Sequence, residues 1–394
     1  MGIMFVQVLK FNSIAKQGLS IIEQAGIHIA EHSTQQDGII LRSQQLHDYV
    51  FPDSVKVVVR AGAGVNNIPV AELTKKGIVV LNTPGANANA VKELVLTSML
   101  MASRNIFPAC QFVSSLDETG EGLEKTVEQA KKQFVGRELP GKILGVVGLG
   151  KIGLNVANCA ISLGMRVLGY DPHISVENSW KLSANVERAH TMAELFYQAD
   201  FLTLHVPLIE QTRHFISNKE IADMRRGMAL FNFSRADVVD NQAILEAIQN
   251  KHLSCYACDF PDAKFKNIPN ILMFPHLGAS TIEAELNCAV MAANQLKAFL
   301  TTGEIINSVN FPETRLSPIK AHRVTVINDN IPSMVSHITN EFANANINID
   351  ELVNKSRQDV AYTVIDISTK PSADLLKKIE QINGVLRVRS LAHE

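Results

Sequence analysis

The sequence has little of several residue types whose abundance marks particular protein classes. Its 394 residues include five cysteines and one tryptophan, and 6% are aromatic. Such a sparse and odd set of cysteines argues against a disulfide framework and predicts a reducing location, the cytoplasm. Charge is balanced, because 37 basic and 39 acidic residues leave a net charge of −2. The chain therefore lacks the basic surface that attracts nucleic acids or anionic membranes, and we predict neither as a partner.

Long apolar runs and metal-binding cysteine patterns are also missing. No stretch is long and apolar enough to span a membrane, and we do not expect the first residues, MGIMFVQVLK, to act as a secretory signal. Cys255 and Cys258 have the spacing CxxC, but they lie in a predicted strand, where positions three apart face opposite sides. We interpret both as structural and predict no metal site. The hydrophobic content of 46% is enough, over this length, for two or three domains with separate cores.

Three of the 22 glycines form the most informative motif. Gly148, Gly150 and Gly153 have the spacing GxGxxG between a strand-like apolar run and a helical pattern. In nucleotide-binding proteins such a turn admits a pyrophosphate at the helix N-terminus. The next strand-like run ends in Asp171, and a carboxylate there binds a ribose hydroxyl and repels a 2′-phosphate. The segment predicts NAD rather than NADP, although the motif alone would also fit a structural turn.

Strand and helix signals alternate along most of the chain. A doubly wound parallel sheet of Rossmann type is indicated by six strand-like runs, at 143–147, 165–170, 201–206, 228–233, 253–259 and 271–274. Helix starts are marked by Thr191 with Glu194, by Asp240, and by Ser280 with Glu283. Upstream, a smaller α/β domain without a phosphate turn is indicated by four shorter runs, at 4–9, 38–41, 55–60 and 78–81.

The C-terminal part changes character after a linker at 311–321 that contains two prolines. The pattern that follows predicts the order strand, helix, strand, strand, helix, strand, at 323–328, 332–345, 347–356, 360–368, 373–382 and 385–391. We expect this order to form a small third domain.

Four segments carry a resemblance to a known family: GRELPGKILGVVGLGKIG, LHVPLIEQT, FNFSRADVVD and FPHLGAST. They resemble the D-2-hydroxyacid dehydrogenases, and RAGAGVNN with LNTPGANANAVKE is similar to the phosphoglycerate dehydrogenase branch of that family. The C-terminal part resembles an ACT domain. The resemblance implies a flavodoxin-like substrate-binding domain at 1–93 and 283–310, an inserted NAD-binding Rossmann domain at 94–282, the linker at 311–321, and a βαββαβ ACT domain at 322–394.

The reaction implied by the resemblance is NAD-dependent oxidation of D-3-phosphoglycerate to 3-phosphohydroxypyruvate, the first step of L-serine biosynthesis. Two alternatives stay open. One is a dehydrogenase or reductase for another 2-hydroxy or 2-oxo acid, such as 2-oxoglutarate. The other is a non-catalytic, NAD-responsive interaction protein, against which the presence of both Arg235 and His276 speaks. A homo-oligomer, either a dimer or a tetramer, is also expected.

Oxidising a secondary alcohol requires a hydride acceptor, a base for the hydroxyl proton and a cation for the carboxylate. The resemblance assigns the base to His276 and the cation to Arg235, each of which follows a predicted strand. Relatives place a glutamate that supports the histidine five residues after the strand-ending Asp259, but this chain has Lys264 there. A lysine cannot accept that hydrogen bond. Either Asp262 turns inward as the partner of His276, which we favour, or the histidine acts without a carboxylate.

Residue pattern and resemblance together assign side chains to the cofactor, the substrate and an effector. Those expected to bind NAD are Gly148, Gly150, Lys151, Ile152, Gly153, Asp171, His205, Val206, Pro207, Phe233, Ser234, Arg235, Asp259, His276, Gly278 and Ala279. Those expected to bind substrate are Arg42, Ser43, Arg60, Ala63, Gly64 and Asn87. Those expected to bind an effector at the ACT domain, for which L-serine is one candidate, are Asn328, Asn330 and Asn348.

Two of these assignments, and the possible role of one further pair of lysines, have an alternative interpretation. Arg42 and Arg60 would favour a phosphate over an alkyl group, although arginines at strand ends are also ordinary solvated side chains. Some relatives offer cations to a neighbouring subunit near Lys131 and Lys132, but EKTVEQAKKQF is also typical of a charged helix face, which we favour. The effector loop INDNIPS has Ser333 where a glycine is common, so another effector, or none, stays open.

Overall fold

The computed structural model describes residues 6–392, which form two compact units. One unit combines the residues up to Ala86 with those from Glu285 onward, and the other runs from Asn87 to Ala284. The first unit is therefore discontinuous in sequence. Met4 and Phe5 of the predicted strand at 4–9 lie outside the described residues.

A five-stranded parallel sheet lies at the centre of the first unit. Its strands are β1 (Gln7–Lys10), β2 (His28–Ala30), β3 (Gly38–Leu41), β4 (Val57–Arg60) and β5 (Val79–Leu81). The spatial order β2-β1-β3-β4-β5 is flavodoxin-like, which confirms this part of the predicted fold. The connecting helices are α1 (Lys16–Gln24) and α2 (Val70–Lys75).

The second unit holds a seven-stranded parallel sheet. Its strands are β6 (Ile143–Val147), β7 (Arg166–Tyr170), β8 (Val186–Arg188), β9 (Phe201–Leu204), β10 (Met228–Asn232), β11 (Leu253–Cys258) and β12 (Ile271–Met273). Its helices are α3 (Ala88–Arg104), α4 (Ile106–Ser114), α5 (Gly120–Ala130), α6 (Lys151–Ser162), α7 (Val176–Lys181), α8 (Met192–Gln198), α9 (Asn218–Asp223) and α10 (Asn241–Gln249). The order β12-β11-β10-β9-β6-β7-β8 is the predicted Rossmann arrangement, in which the strand sequence reverses beside β6. Ligands bind at the carboxyl ends of the strands at such a switch point.

Apolar residues on both faces of this sheet explain its position in the interior. The consecutive residues Leu230 and Phe231 belong to different core clusters, because successive side chains of a strand point to opposite faces. Cys258 lies in the cluster that contains Leu230, and Cys255 lies in the cluster that contains Phe231. Both thiols are free. Burial raises the pKa of Cys255 to about 12. The structural interpretation of the CxxC pair is therefore confirmed.

The helix caps agree with the sequence in two of three places. Thr191 and Asp240 cap α8 and α10 as predicted, through hydrogen bonds from the backbone amides that follow. The long helix α11 (Ile282–Thr302) begins differently from the prediction. Its first turn is capped by Thr281, whose Oγ1 accepts a hydrogen bond from the Ala284 amide at 3.1 Å, rather than by Ser280.

The C-terminal part of the first unit is a four-stranded antiparallel sheet with two helices. Its elements are β13 (His322–Asp329), α12 (Met334–Asn344), β14 (Glu351–Arg357), β15 (Val360–Ile367), α13 (Ala373–Glu380) and β16 (Val385–Ala392). The element order is the predicted one, and the strands are arranged β14-β15-β13-β16. Tyr362 and Val364 of β15 are buried in the same apolar cluster as Val8 of β1 and Leu296 of α11. The C-terminal sheet is therefore packed against the first sheet within one unit.

Candidate active site

The glycine turn lies between β6 and α6, and its backbone explains why two of its three glycines are needed. Gly148 has a φ of 89°, and a Cβ there would lie 2.6 Å from the carbonyl oxygen of His205. A Cβ on Gly153 would lie 1.9 Å from the carbonyl oxygen of Gly148. A Cβ on Gly150, in contrast, would meet no other atom within 4 Å. The first and third glycines thus allow close packing, and the second leaves open space at the N-terminus of α6.

Asp171 is bound to the same turn. Its Oδ2 accepts a hydrogen bond from the Leu149 amide and its Oδ1 accepts one from the His173 amide, both at 2.8 Å. Each carboxylate oxygen can accept a further hydrogen bond, so the side chain remains available to ribose hydroxyls. The open space at Gly150 beside this carboxylate fits the pyrophosphate and ribose of a dinucleotide.

Lys151 and Ile152 occupy the first turn of α6. The Nζ of Lys151 lies 3.2 Å from Oε1 of Glu177, which also pairs with Lys181 at 2.6 Å. These two lysines lower the pKa of Glu177 through hydrogen bonds and charge, and the largest single cause is the hydrogen bond from Lys181. Lys151 therefore stands at the helix N-terminus, held by a surface carboxylate that is itself largely exposed.

His205 begins the loop after β9, which continues with Val206 and Pro207. Its Nε2 lies 3.0 Å from the hydroxyl oxygen of Thr203, whereas its Nδ1 is buried and has no hydrogen-bond partner among residues 6–392. Burial lowers the pKa of His205 to about 3, so the imidazole is neutral at pH 7. An unpartnered buried nitrogen next to the glycine turn is consistent with a ligand contact.

The segment Phe233–Ser234–Arg235 follows β10 and is organised by Asn232, which sequence reasoning missed. Asn232 is fully buried; its Nδ2 donates to the carbonyl oxygen of Arg235 at 2.9 Å, and its Oδ1 accepts from the Ser234 hydroxyl at 2.8 Å. The Arg235 side chain is exposed, and its Nη1 donates to the Ser234 carbonyl oxygen at 2.7 Å. Most of the guanidinium donors thus remain available to a carboxylate. The one sequence feature that could have identified Asn232 is that it is a polar residue at the end of an apolar strand.

The turn after β12 carries His276, Gly278 and Ala279. His276 has a φ of 58°, and its exposed ring contacts Phe260 edge-on with 5.5 Å between centroids. Asp259, at the end of β11, accepts hydrogen bonds from the Leu277 and Gly278 amides at 2.7 Å each. Burial raises the pKa of Asp259, although these amides oppose the shift. Asp259 therefore holds the backbone that presents His276.

Asp262 has a different structural role from the one we favoured. Its Oδ1 accepts a hydrogen bond from the Lys264 amide at 2.8 Å, and its Oδ2 accepts one from Asn241 Nδ2 at 2.7 Å. The Lys264 amide is the largest cause of the lowered pKa of Asp262. In the described part of the chain no hydrogen bond joins Asp262 to His276. The expected inward turn is therefore not formed, because Asp262 caps the short helical turn Ala263–Phe265.

The substrate residues expected in the first unit cluster after β3 and β4. Nη2 of Arg42 forms an ion pair with Oε1 of Glu285 at 2.6 Å, and Nε of Arg60 donates to the Arg42 carbonyl oxygen at 2.9 Å. The Ser43 amide donates to Oδ1 of Asn12 at 3.0 Å, so Asn12 fixes this loop. No sequence pattern singled out Asn12.

Three further residues that are expected to bind substrate follow β4 and β5. The carbonyl oxygen of Ala63 accepts a hydrogen bond from Asn82 Nδ2, and Gly64 is the next residue. Asn87 begins the second unit, and its Oδ1 is buried without a hydrogen-bond partner among the described residues. This orphaned oxygen is the one feature of the three that itself suggests a ligand.

The expected effector residues are placed unequally in the C-terminal sheet. Asn328 is buried, and its Nδ2 donates to the Asp329 carbonyl oxygen at 2.8 Å. Asn330 and Asn348 are exposed, and Nδ2 of Asn330 donates to the Gln358 carbonyl oxygen at 3.1 Å. Ser333 has a φ of 67°, which explains why a glycine is common at that position. Asn328 is thus the least accessible of the three to a solvent ligand.

The chain is similar to known proteins, both in its family and in its sequence. Residues 96–278 match the model of the family described as D-isomer specific 2-hydroxyacid dehydrogenase, NAD binding domain. The chain is 34% identical over 371 residues to the D-3-phosphoglycerate dehydrogenase of Methanocaldococcus jannaschii, a match that covers 88% of this chain and 67% of that protein. It is 31% identical over 340 residues to the D-3-phosphoglycerate dehydrogenase of Haemophilus influenzae, covering 83% of this chain and 79% of that protein.

Solved structures of dehydrogenases are also similar to this chain. The NAD⁺-bound 3-phosphoglycerate dehydrogenase of Entamoeba histolytica matches with a TM-score of 0.62 at 27% identity, covering 78% of this chain and 99% of that one. A glyoxylate reductase structure matches with a TM-score of 0.64 at 22% identity, which shows the shared fold. The matched family and the NAD⁺-bound relative support NAD as the cofactor of this chain. No helix in the described part of the chain is long and apolar enough to cross a membrane.

Proposed function

The chain belongs to the D-isomer specific 2-hydroxyacid dehydrogenase family, and on that premise we propose that it oxidises D-3-phosphoglycerate to 3-phosphohydroxypyruvate with NAD. The observation that carries the proposal is the pair of exposed side chains Arg235 and His276 at strand ends of the NAD-binding unit. The reaction would supply the first intermediate of L-serine formation, in the cytoplasm.

The proposed chemistry assigns one role to each side chain. NAD, when bound, supplies the hydride acceptor. His276 accepts the proton of the substrate hydroxyl, for which an imidazole is suited near neutral pH. Arg235 binds the substrate carboxylate and stabilises negative charge on the carbonyl oxygen. Asp259 keeps the His276 turn in place, and His276 acts without a carboxylate partner.

Phosphorylated acids are the proposed substrates because of the arginines in the first unit. Arg42 and Arg60 lie side by side, joined through the Arg42 carbonyl oxygen. The Arg42–Glu285 ion pair is partly exposed, with 39% and 45% of the two side chains accessible. Exposed pairs of this kind contribute about 0 to 1 kcal/mol, so a dianionic phosphate can displace Glu285 from Arg42. Ser43 and the Ala63–Gly64 backbone would complete this end of the substrate site.

The test is a substrate panel followed by NADH absorbance. We expect D-3-phosphoglycerate to give the highest kcat/KM among 2-hydroxy acids, and His276→Asn to lower it by about 10²- to 10⁴-fold. Arg235→Gln should lower kcat/KM further than Arg235→Lys, because only arginine offers a planar pair of donors. Arg213→Gln is the matched control, since Arg213 is an exposed arginine of the same unit paired with Asp237.

Other outcomes of the panel select the alternatives. A higher kcat/KM for 2-oxoglutarate reduction, or for another acid, would replace phosphoglycerate as the substrate. Binding of NAD without turnover of any acid would identify an NAD-responsive interaction protein instead.

We also propose that the C-terminal sheet is an ACT domain and that the protein is a homo-oligomer. The strand-helix-strand-strand-helix-strand order supports the first proposal, and the exposed Asn330 and Asn348 leave room for an amino-acid effector such as L-serine. Helix α4 supports the second, because its Ile106, Phe107 and Val113 are large apolar side chains exposed to solvent. Calorimetry with L-serine and sedimentation of the purified chain test the two proposals separately.

A further inference from the structure

A cavity of about 360 Å³ lies in the first unit, between β16 and the segments that precede β4 and β5. Its charged lining consists of four basic and two acidic side chains: Lys56, Lys76, Arg387, Arg389, Asp53 and Glu380. The lining therefore has two more positive than negative charges. None of these residues belongs to the proposed NAD or substrate sites.

The two arginines of the cavity are held by neutral partners. They are two positions apart on β16, so their side chains share one face of the strand. Arg387 donates to the carbonyl oxygens of Asp53 and Lys76, at 3.1 and 3.3 Å. Both terminal nitrogens of Arg389 donate to the Phe299 carbonyl oxygen at 3.3 Å. Within residues 6–392 no carboxylate forms an ion pair with either guanidinium.

Burial makes these two positive charges costly. It lowers the pKa of both Arg387 and Arg389. The carboxylates of Asp53 and Glu380 oppose this in part at Arg387, and that of Asp37 does so at Arg389. The guanidinium carbon of Arg389 lies 4.5 Å from the centroid of the Phe299 ring, a contact that stabilises a cation weakly. Both side chains are half-buried, and their desolvation is only partly offset by these carboxylates, so an anion in the cavity would reduce the remaining penalty.

The lysines can add to an anion site at little cost. Nζ of Lys76 lies 2.7 Å from Oε1 of Glu72, and both side chains are about half exposed, at 45% and 50%. An exposed pair one helical turn apart is weak, so Lys76 can turn toward a ligand. Lys56 is paired with Asp37 and keeps further donors free, because an ammonium group has three.

We propose that this cavity binds a small multivalent oxyanion, either a phosphate or a polycarboxylate. The volume falls in the range of ordinary small-ligand sites, about 300 to 1,000 Å³. A bound anion would contact guanidinium groups of the C-terminal sheet and ammonium groups near the first sheet. It would therefore tie the two sheets of the first unit together. The inference does not depend on the proposed substrate.

Hydrogen exchange of the full chain localises the binding. The protein is titrated with sodium phosphate and, separately, with sodium citrate, in saturating NAD and against sodium chloride of equal ionic strength. We expect slower exchange at residues 51–56 and 385–392 with at least one of the two anions and not with chloride. The anion that acts identifies the ligand as a phosphate or a polycarboxylate. Unchanged exchange in both segments with both anions overturns the proposal.

A matched pair of variants tests the arginine. Arg387→Gln should raise the anion concentration at the midpoint of the hydrogen-exchange titration at least about tenfold, because the substitution removes a charge-assisted donor. Arg357→Gln should leave the midpoint of this titration unchanged. Arg357 lies on the same sheet, but it donates to the Ser308 and Phe311 carbonyl oxygens, outside the cavity. Lys76→Gln, at an exposed position, replaces Arg387→Gln if that variant does not fold, with a loss of at least about threefold. Equal midpoints in the unmodified protein and the cavity variant overturn the proposal.

Discussion

His276 presents its imidazole from an uncommon backbone conformation. Its φ of 58° lies in the left-handed region, which costs a residue with a side chain roughly 1 to 3 kcal/mol where the surroundings enforce it. The enforcement comes from Asp259, whose carboxylate binds the amides of Leu277 and Gly278. The Phe260 ring supports the imidazole from its edge. The backbone and an aromatic neighbour therefore set the position of the ring.

The first prediction concerns the charge of Asp262. We expect Asp262→Asn to leave the pH dependence of kcat/KM unchanged, because the Asp262 carboxylate is bonded to the Lys264 amide and Asn241 rather than to His276. An asparagine keeps one oxygen for the Lys264 amide and caps almost as well as aspartate. The measurement is kcat/KM with D-3-phosphoglycerate from pH 6 to 10. If the part of the pH profile that depends on His276 shifted to lower pH, Asp262 would again be assigned as the partner of His276.

Asp262→Ala serves as the control for this prediction. Removing the cap should lower the free energy of unfolding at pH 7 by about 1 kcal/mol. The Lys264 amide holds the pKa of Asp262 below its ordinary value, so the carboxylate form is stabilised above that value. The cap's contribution is therefore fully present at neutral pH and is lost as the pH falls through the lowered pKa.

At the residue scale, side chains within local motifs could be predicted and their supporting contacts could not. The glycine turn and Asp171 were found because strand, turn and helix follow each other directly in sequence. Asn12 and Asn232 were missed, because their hydrogen bonds depend on loops whose conformation no local pattern specifies. The role of Asp262 was missed because the turn after Pro261 could place its carboxylate on either side.

At the element scale, the parallel sheets were predictable because their strands are continuous apolar runs buried on both faces. Two strands, β2 and β8, were not predicted. Each has three residues and lies at the edge of its sheet. Their exposed positions include His28 and Glu187, so neither shows an apolar run. Helix α6 shows the opposite case, since its start is specified by the spacing of the glycines.

The second prediction separates binding from folding at α6. Gly150→Ala should fold normally and lose most of its NAD affinity, because the added Cβ enters open space at the helix N-terminus. Gly153→Ala should be destabilised, because its Cβ would lie 1.9 Å from the Gly148 carbonyl oxygen. The measurements are NAD titration by calorimetry and the Tm without NAD. Equal Tm losses in the two variants would show that Gly150 also has a packing role.

At the scale of the whole molecule, the C-terminal sheet is part of the first unit's core. Its order of elements was predicted, but its packing was not, because the apolar face of β15 gives no sign of what covers it. Tyr362 is fully buried there, and its hydroxyl donates to the Gly303 carbonyl oxygen at 2.7 Å. Arg323 adds a second connection, since it pairs with Asp366 and donates to the carbonyl oxygens of Thr302 and Ser317.

The last prediction follows from that connection. Arg323 is 1% exposed, and its Nε and Nη2 bind the Asp366 carboxylate at 2.6 and 2.7 Å. Arg323→Gln would leave this carboxylate without its counter-charge, at a cost of about 3 kcal/mol or more. A domain of this size loses roughly 2 to 4 °C in Tm per kcal/mol, so we expect its transition to fall by about 6 to 12 °C.

The measurement is differential scanning calorimetry with and without NAD, which we expect to bind the second unit and to raise only its transition. Arg323→Gln should lower the other transition and leave the NAD-sensitive one unchanged. Arg315→Gln is the control, because Arg315 is exposed and pairs only with the exposed Glu313, so its Tm should stay within about 2 °C. If Arg323→Gln lowered both transitions equally, the two units would unfold together, and the C-terminal sheet would stabilise the NAD-binding unit as well.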